Sequence, residues 1–346
     1  MKFSELMCIM WCNECKHETP HSTCELCGKQ TELEATSFVY WCNNCNVPII
    51  RMENESDIDK CPLCGGEIRY LASDLRTVFP EERLLIEIML DKPLAFLKDS
   101  VWANNNRYYV NGKSFTITSK HYKKYSASYI IDKLNEYKAE NTYDYFDKYI
   151  SLFVEANENR LRYRIDEAYK FINQEASKYP IEHVVLSFSG GKDSTVTADL
   201  AVKALSEPSL VHIFGNTTLE FPLTIEYAER FRNDNPLAIF RTAINRDQNF
   251  YDVCDDIGPP ARMMRWCCSM FKTGPITRIL NRYYRDKNIL TFYGIRKCES
   301  VSRSKYNRVE DDAESVKIQK QKVASPIFYW TDIDIWLDCP SELRHI

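Results

Sequence analysis

The chain of 346 residues predicts an α/β domain with a parallel sheet, preceded by two zinc ribbons and a small α+β module. Three observations carry that reading. Eight of the fourteen cysteines stand as four C-x-x-C pairs within the first 64 residues. From Tyr125 to Tyr179 there is neither glycine nor proline, and apolar residues recur at helical spacing. Beyond Pro180, short apolar runs alternate with stretches of helical period, the pattern of βα units stacked into a parallel sheet. The resulting divisions are 1–74 for the tandem ribbons, 75–124 for the module, 125–179 for a helical linker and 180–346 for the α/β domain.

The ribbons come first. Cys12, Cys15, Cys24 and Cys27 form one set, and Cys42, Cys45, Cys61 and Cys64 the other. Two residues between cysteines let a tight turn point both sulfurs at one ion, so each set can close tetrahedrally around a zinc. Gly28 and Gly65 follow the second pair of each set and relieve the backbone there. Four thiolates leave no position for water, so both zincs are expected to be structural. A disulfide framework is the alternative, and it calls for an oxidising compartment. His17 and His21 could each replace a ligand, but with four cysteines in the set they are expected at the surface.

Composition sets the limits. With 44% hydrophobic and 27% charged residues and no apolar run of membrane-spanning length, an ordinary cytoplasmic protein without a membrane partner is expected. A net charge of -4 argues against nucleic-acid binding by the whole chain through bulk electrostatics, though not against local basic surfaces. One such surface is expected between Ala261 and Glu310, where twelve Lys and Arg face three Asp and Glu.

The middle of the chain opens with a helical stretch, "LLIEIML", then strand-like pieces joined by "NNN" and "NG" turns. This reads as a small α+β module, either a spacer or a part that handles RNA. The segments "YIIDKLNEY" and "YISLFVEANENRLRYRIDEAYKFI" read as two amphipathic helices that end before Pro180, their aromatic stripe facing the core.

The α/β domain begins with "HVVLSFSGGKDSTVTADLAVKAL". "HVVLSF" is a buried-strand run, and the residues after "GGKD" have helical period with Val196, Leu200 and Leu205 inward. Gly190 and Gly191 let backbone N–H groups approach an anion, and the start of the following helix adds a favourable dipole. A Walker A loop needs G-x-x-x-x-G-K-[ST], which this spacing does not supply.

"SGGKDS" after a hydrophobic strand resembles the PP-loop of the N-type ATP pyrophosphatases and of the related phosphoadenosine phosphosulfate (PAPS) reductases. Four later blocks resemble that family in the same order. "NTTLEFPLT" carries Thr217, Glu220, Pro222 and Thr224, with Asn216 where the family has aspartate. "RWCCSMFKTGP" carries Arg265, Cys267, Cys268, Lys272 and Pro275. "GIRKCESVSR" carries Gly294, Arg296, Glu299, Ser300 and Arg303, and "PIFYWTDIDIW" carries Pro326, Trp330, Asp334 and Trp336.

The resemblance implies an adenine nucleotide alpha hydrolase-like, Rossmann-like fold that binds ATP or PAPS. Ser189, Gly190, Gly191, Lys192, Asp193 and Ser194 would cradle the phosphates, with Thr217, Arg265, Lys272 and Gly294 beside them. Asp193 is assigned to magnesium or to loop geometry. Lys192, Asp193, Arg296 and Arg303 are the expected catalytic residues, the arginines neutralising charge on the transferring group. "GIRKCES" follows the strand "ILTFY" and is expected at the strand's C-terminal edge, where open α/β sheets bind ligands. Arg262, Arg278 and Arg282 are expected at the surface.

In some branches of the family, adjacent cysteines at this block ligate a four-iron cluster. Cys267, Cys268, Cys298 and Cys339 could supply four thiolates, or they are inert thiols. PAPS reductases also carry a nucleophilic cysteine in a C-terminal "E-C-G-x-H" segment. This chain ends at "LDCPSELRHI", as a shortened variant or a truncated product would. The expectation is therefore ATP pyrophosphatase-type activation in sulfur transfer, to tRNA or DNA by analogy with other ribbon-bearing PP-loop enzymes, with a cysteine desulfurase or thioredoxin-like protein as sulfur donor. PAPS reduction is one alternative, and a nucleic-acid-binding protein with an inactive PP-loop is another.

Overall fold

The structure, a computed structural model, describes residues 10–12, 17–19, 23–24, 26–29, 32–33, 38–51, 60–261, 263–300, 303–310 and 320–338. The chain divides into two compact units, Met1–Ala156 with Tyr329–Ile333, and Asn157–Phe328 with Asp334–Ile346.

The first unit opens with two small antiparallel sheets. Met10–Cys12 lies between His17–Thr19 and Glu32–Leu33, and Phe38–Cys42 lies between Val47–Arg51 and Ile68–Ala72. The second sheet has a closed interior in which Val39, Trp41, Val47 and Ile49 are fully buried. Next comes the α+β module. Helix Pro80–Met89 begins with proline at its first turn, where a missing N–H is harmless. It packs on a four-stranded antiparallel sheet ordered Lys113–Thr116, Arg107–Val110, Val101–Asn104, Arg76–Thr77. Val78, Ile86, Met89, Val101, Ala103, Tyr108 and Ile117 form its core.

The "NG" turn is found where the sequence predicts a hairpin. Asn111 and Gly112 have φ of 47° and 73°, the left-handed pair that a two-residue hairpin turn requires. Gly112 has a second constraint, because a Cβ there would lie 2.6 Å from the Trp41 ring and from Arg69 Nη2. The ribbon thus grips the module's hairpin. Asp74 holds the returning segment of this unit, accepting the backbone N–H groups of Asp332 at 2.9 Å and Ile333 at 3.0 Å.

The stretch read as two linker helices contains three: Ala127–Tyr137, Asp144–Ala156 and Glu158–Ala176. The break falls at Asn157, whose φ of -117° and ψ of 19° leave the helical region and interrupt what the apolar spacing alone would continue. Polar "ANEN" tolerates a break that periodicity does not reveal. In the first unit Phe153 is fully buried against Trp102, ring centroids 4.8 Å apart, whereas Tyr129 is exposed, so the aromatic stripe expected in the core is only partly there.

The second unit begins with helix α1 (Glu158–Ala176) and builds a doubly wound sheet. Its elements are β1 (Val184–Phe188), α2 (Lys192–Leu205), β2 (Val211–Asn216), α3 (Pro222–Asp234), β3 (Ile239–Ile244), α4 (Phe250–Ile257), α5 (Gly274–Tyr284), β4 (Ile289–Phe292), β5 (Val309–Glu310) and β6 (Gln321–Ala324). The strand order is β3-β2-β1-β4-β6-β5, all parallel except the short β5. The central strands β1 and β4 are almost wholly buried, as parallel strands covered on both faces must be. On one face Leu280 and Tyr284 of α5 pack against Val185, Val211, Ile213 and Ile289. Asp334, on the short helix Asp332–Asp338, is fully buried between two arginines of α1. Arg160 donates to it at 2.9 and 3.0 Å, and Arg164 lies at 3.4 Å. Burial pushes the Arg164 guanidinium below its ordinary range.

Candidate functional site

The strand order reverses between β1 and β4, since β1 leads to β2 and β3 on one side and β4 to β6 on the other. That switch point opens a crevice at the C-terminal ends of the strands. Two loops meet there. Ser189–Gly191 follows β1, and the "GIRK" loop follows β4, at the strand edge where the sequence places it.

The first loop is built by its own hydroxyls. Ser194 Oγ accepts from the Ser189 N–H and hydroxyl, both at 3.1 Å, and donates to the Gly191 carbonyl at 2.9 Å. Thr195 Oγ1 also reaches the Gly191 carbonyl, at 3.1 Å, and bonds the Tyr227 hydroxyl of α3 at 2.9 Å. The two serines therefore close the loop on itself. Gly190 sits at φ 75°, and a Cβ there would come within 3.0 Å of Thr224 Cγ2. Thr224 thereby buttresses the loop from α3. Gly191 caps α2, whose first-turn N–H groups have no partners within the helix and whose dipole is positive at this end.

Asp193 joins the two loops. Arg296 Nε donates to its Oδ1 at 2.7 Å, and Lys192 Nζ lies 3.2 Å from its Oδ2. Arg296 is 4% exposed, so this charge-assisted bond is shielded from water. The loops also touch directly, because a Cβ on Gly294 would fall 2.6 Å from the Asp193 carbonyl oxygen and 2.8 Å from the Ser194 nitrogen. Glycine is the residue that permits this approach. Thr224, Thr195 and Tyr227 support the loop without having been singled out as site residues. Thr224 was legible in the "FPLT" block, whereas the Thr195–Tyr227 bond has no local signal.

The remaining candidates are held by neighbours of their own. Thr217 Oγ1 donates to Glu220 at 2.7 Å, and Arg303 pairs with Glu299. Arg265 and Lys272 are exposed; Arg265 Nη2 lies 3.6 Å from Cys268 Sγ. Lys272 rides on a π-helical turn, Cys268–Thr273, that ends at Gly274. Arg278 and Arg282 are exposed as expected, and Arg262 lies outside the described residues. Cys267 and Cys268 are half-buried, and exposed Cys298 has its Sγ 3.6 Å from Arg296 Nη1. Cys339 lies outside the described residues. The basic stretch does not form one surface: Arg296 faces the loop, Arg308 is bound to Glu167, and Lys287 lies at the other end of the sheet.

A separate cluster lies in the first unit. The Sγ atoms of Cys42, Cys45, Cys61 and Cys64 all fall within 4.8 Å of one another, with Cys42–Cys64 at 3.5 Å and Cys45–Cys61 at 3.8 Å. A tetrahedron of zinc–sulfur bonds has edges of about 3.8 Å, so the four thiols fit a closed zinc site. The Gly66 N–H draws the Cys64 thiol down to about 7, while burial pushes those of Cys42 and Cys45 up. Among the described residues this is the one group of three or more potential ligands. The segment 24–29, where the sequence places half of another ribbon, shows the same backbone turn. Gly28 donates to the Cys24 carbonyl at 2.9 Å and Cys24 to that of Lys29 at 2.8 Å, as Gly65 does to Cys61 and Cys61 to Gly66. Cys15, His21 and the side chains of Cys12 and His17 lie outside the described residues.

Residues 183–337 match the family model of the phosphoadenosine phosphosulfate reductase domain. An uncharacterized protein of Methanocaldococcus jannaschii is 34% identical over 209 residues, covering 60% of this chain and 42% of its own length. A second uncharacterized protein of that organism is 34% identical over 150 residues, 43% of this chain and 34% of its own. The chain thus spans less than half the length of the curated relatives it matches. Among solved structures, PAPS reductase from Candida auris in a phosphate complex is similar with a TM-score of 0.38 and 13% identity, over 54% of this chain and 84% of that one. NH3-dependent NAD synthetase from Campylobacter jejuni is similar with a TM-score of 0.37 and 18% identity, over 52% and 72%. The second unit thus contains a stretch similar to the PAPS reductase domain, and the first carries a four-cysteine cluster that fits a zinc ribbon.

Proposed function

We propose that the chain is an ATP-dependent enzyme that activates an acceptor by adenylation, releasing pyrophosphate, in service of sulfur transfer to a nucleic acid. The observation that carries the reading is the clamp at the switch point. Lys192, Asp193 and Arg296 bind one another across two loops that Gly294 allows to touch. A loop fixed in this way presents the backbone N–H groups of Gly190 and Gly191, and the start of α2, to phosphates without reorganising.

Ser189 and Ser194 then act by holding the loop's shape. Asp193 has each carboxylate oxygen beside a cation, which supports its role in loop geometry and not as a ligand of magnesium. Lys192 and Arg296 supply positive charge at the crevice, exposed Arg265 and Lys272 are available to the acceptor, and Arg303 would reach the transferring group on leaving Glu299. A cysteine desulfurase or thioredoxin-like protein would deliver the sulfur. The four-cysteine ribbon would hold zinc structurally, since its ligand set is complete.

The test is to incubate the metal-replete protein with bulk tRNA or DNA as acceptor and with ATP or PAPS, with thioredoxin added, and to assay pyrophosphate and sulfite together. Pyrophosphate from ATP, abolished in Lys192→Ala, is expected. Sulfite from PAPS without pyrophosphate would replace this reading with reduction, and release unchanged in Lys192→Ala and Asp193→Asn would refute the site.

A further inference from the structure

The opposite edge of the parallel sheet, where β1, β4 and β6 begin, holds an open cleft of about 710 Å³. Lys178, His183, Lys287, Lys320 and Lys322 line it, with Asp286 as the acidic member of the wall. Lys178 is partly satisfied by Glu175 at 2.6 Å, and Lys320 Nζ reaches the Asp286 carbonyl at 3.3 Å. Among the described residues, four ammonium groups against the carboxylates of Asp286 and Glu175 leave a local positive field on a chain whose net charge is -4. The PP-loop lies at the other end of the same strands, so the nucleotide site does not account for this cleft.

Lysines after a helix offset its C-terminal dipole, which is reason enough for Lys178 and Lys287, just past the ends of α1 and α5. Lys320 and Lys322 belong to the start of β6 and have no such duty. The same two helix ends also decide the kind of ligand. They turn backbone carbonyls toward this edge, and among the described residues of the wall there is no glycine-rich loop or arginine to form the cradle of N–H groups that grips a terminal phosphate. What the wall offers is a set of point charges on long stems, of which Lys287 and Lys320 are exposed. A single phosphate would meet one or two of them weakly, whereas a chain of regularly spaced phosphates meets several at once and releases counterions at each.

We propose that this cleft binds the phosphodiester backbone of single-stranded nucleic acid, RNA or DNA, at a site separate from the PP-loop. The inference stands without the nucleotide reading, because it uses none of the loop's residues.

The experiment uses the full chain and a fluorescein-labelled oligonucleotide of mixed sequence, as RNA and as DNA, with anisotropy recorded across a salt series. In Lys287→Gln/Lys320→Gln the affinity is expected to fall by roughly tenfold at low salt, and the slope of log K against log salt by about 1.4, two phosphates' worth for a single strand. Lys138→Gln, at an exposed lysine of the first unit, leaves both unchanged. An unchanged thermal midpoint in the double variant excludes misfolding as the cause. RNA binding alone or DNA binding alone supports the backbone site and names its source. Equal affinity and slope in parent and double variant, or no binding by the parent at low salt, would overturn the proposal. So would complete displacement by equimolar inorganic tripolyphosphate, which would make the cleft a pocket for a small phosphate compound, or loss of binding in Lys192→Ala, which would put the oligonucleotide on the PP-loop.

Discussion

Gly294→Ala tests the clamp by geometry alone. The new methyl carbon would stand 2.6 Å from the Asp193 carbonyl oxygen, 2.7 Å from its carbon and 2.8 Å from the Ser194 nitrogen, all backbone atoms that no rotamer change can move. Ordinary contact begins at 3.4 Å, so the two loops must part by about 0.8 Å in an interior packed too tightly to absorb it. Overpacking of this kind destabilises by about 1–3 kcal/mol, which lowers the thermal midpoint by a few degrees to roughly ten. The functional loss should exceed the structural one. Displacing a phosphate-binding loop by nearly 1 Å is expected to reduce pyrophosphate release on the order of 10²-fold. Gly191→Ala is the control for stability, because its Cβ meets nothing closer than Ser189 Oγ at 3.6 Å and its φ of -94° suits any residue. Thermal unfolding and a pyrophosphate assay on parent and both variants measure the two effects. A Gly294→Ala protein with parental midpoint and parental turnover would mean that the loops do not touch as described, and the reasoning would fail.

Three more outcomes follow from other parts of the molecule. Asp334→Asn leaves Arg160 and Arg164 buried without their shared carboxylate and should lower the stability of the second unit by about 3–5 kcal/mol in urea unfolding; an unaltered midpoint would refute the ion-pair account. His212 is 1% exposed, donates from Nδ1 to the Leu210 carbonyl, and is held neutral by burial below its ordinary 6.5. As pH falls below 6.5 the unfolded chain gains a proton that the folded one refuses, so stability should drop by up to about 1.4 kcal/mol per pH unit, and His212→Leu should lessen that slope in thermal scans. Cys61→Ser should remove one zinc per chain by metal analysis and unfold the ribbon around Trp41, and full zinc retention would count against the site.

Much of the site was legible in the sequence because its parts are local. A buried strand, two glycines and an amphipathic helix fix the PP-loop, and the C-x-x-C spacing fixes each knuckle of the ribbon. What escaped notice is long-range. Arg296 was expected to face the transferring group, and its bond to Asp193 across 103 positions leaves no trace in either segment. Ser194 reads as a phosphate-binding hydroxyl in the motif, yet its environment is the loop's own backbone. The helical stretch was misjudged for the opposite reason, since apolar spacing continues through Asn157 while the backbone does not. The basic run between Ala261 and Glu310 was seen as one surface because charge in sequence carries no direction. The fold sends its members to both ends of the sheet.

The bonds from Asp74 to Asp332 and Ile333 span 258 and 259 positions, and they set an order of events during synthesis. At about 5–20 residues per second, a ribosome needs roughly 13–50 s to deliver the partners of a carboxylate it has already made. Through that interval the N-terminal unit lacks Tyr329, Trp330, Thr331 and Ile333, all of them buried once it is complete. The four-cysteine cluster and the α+β module therefore emerge first and finish last. A fragment cut after Ala156 would keep that apolar seat open for good, and would be prone to aggregation where the whole chain is not.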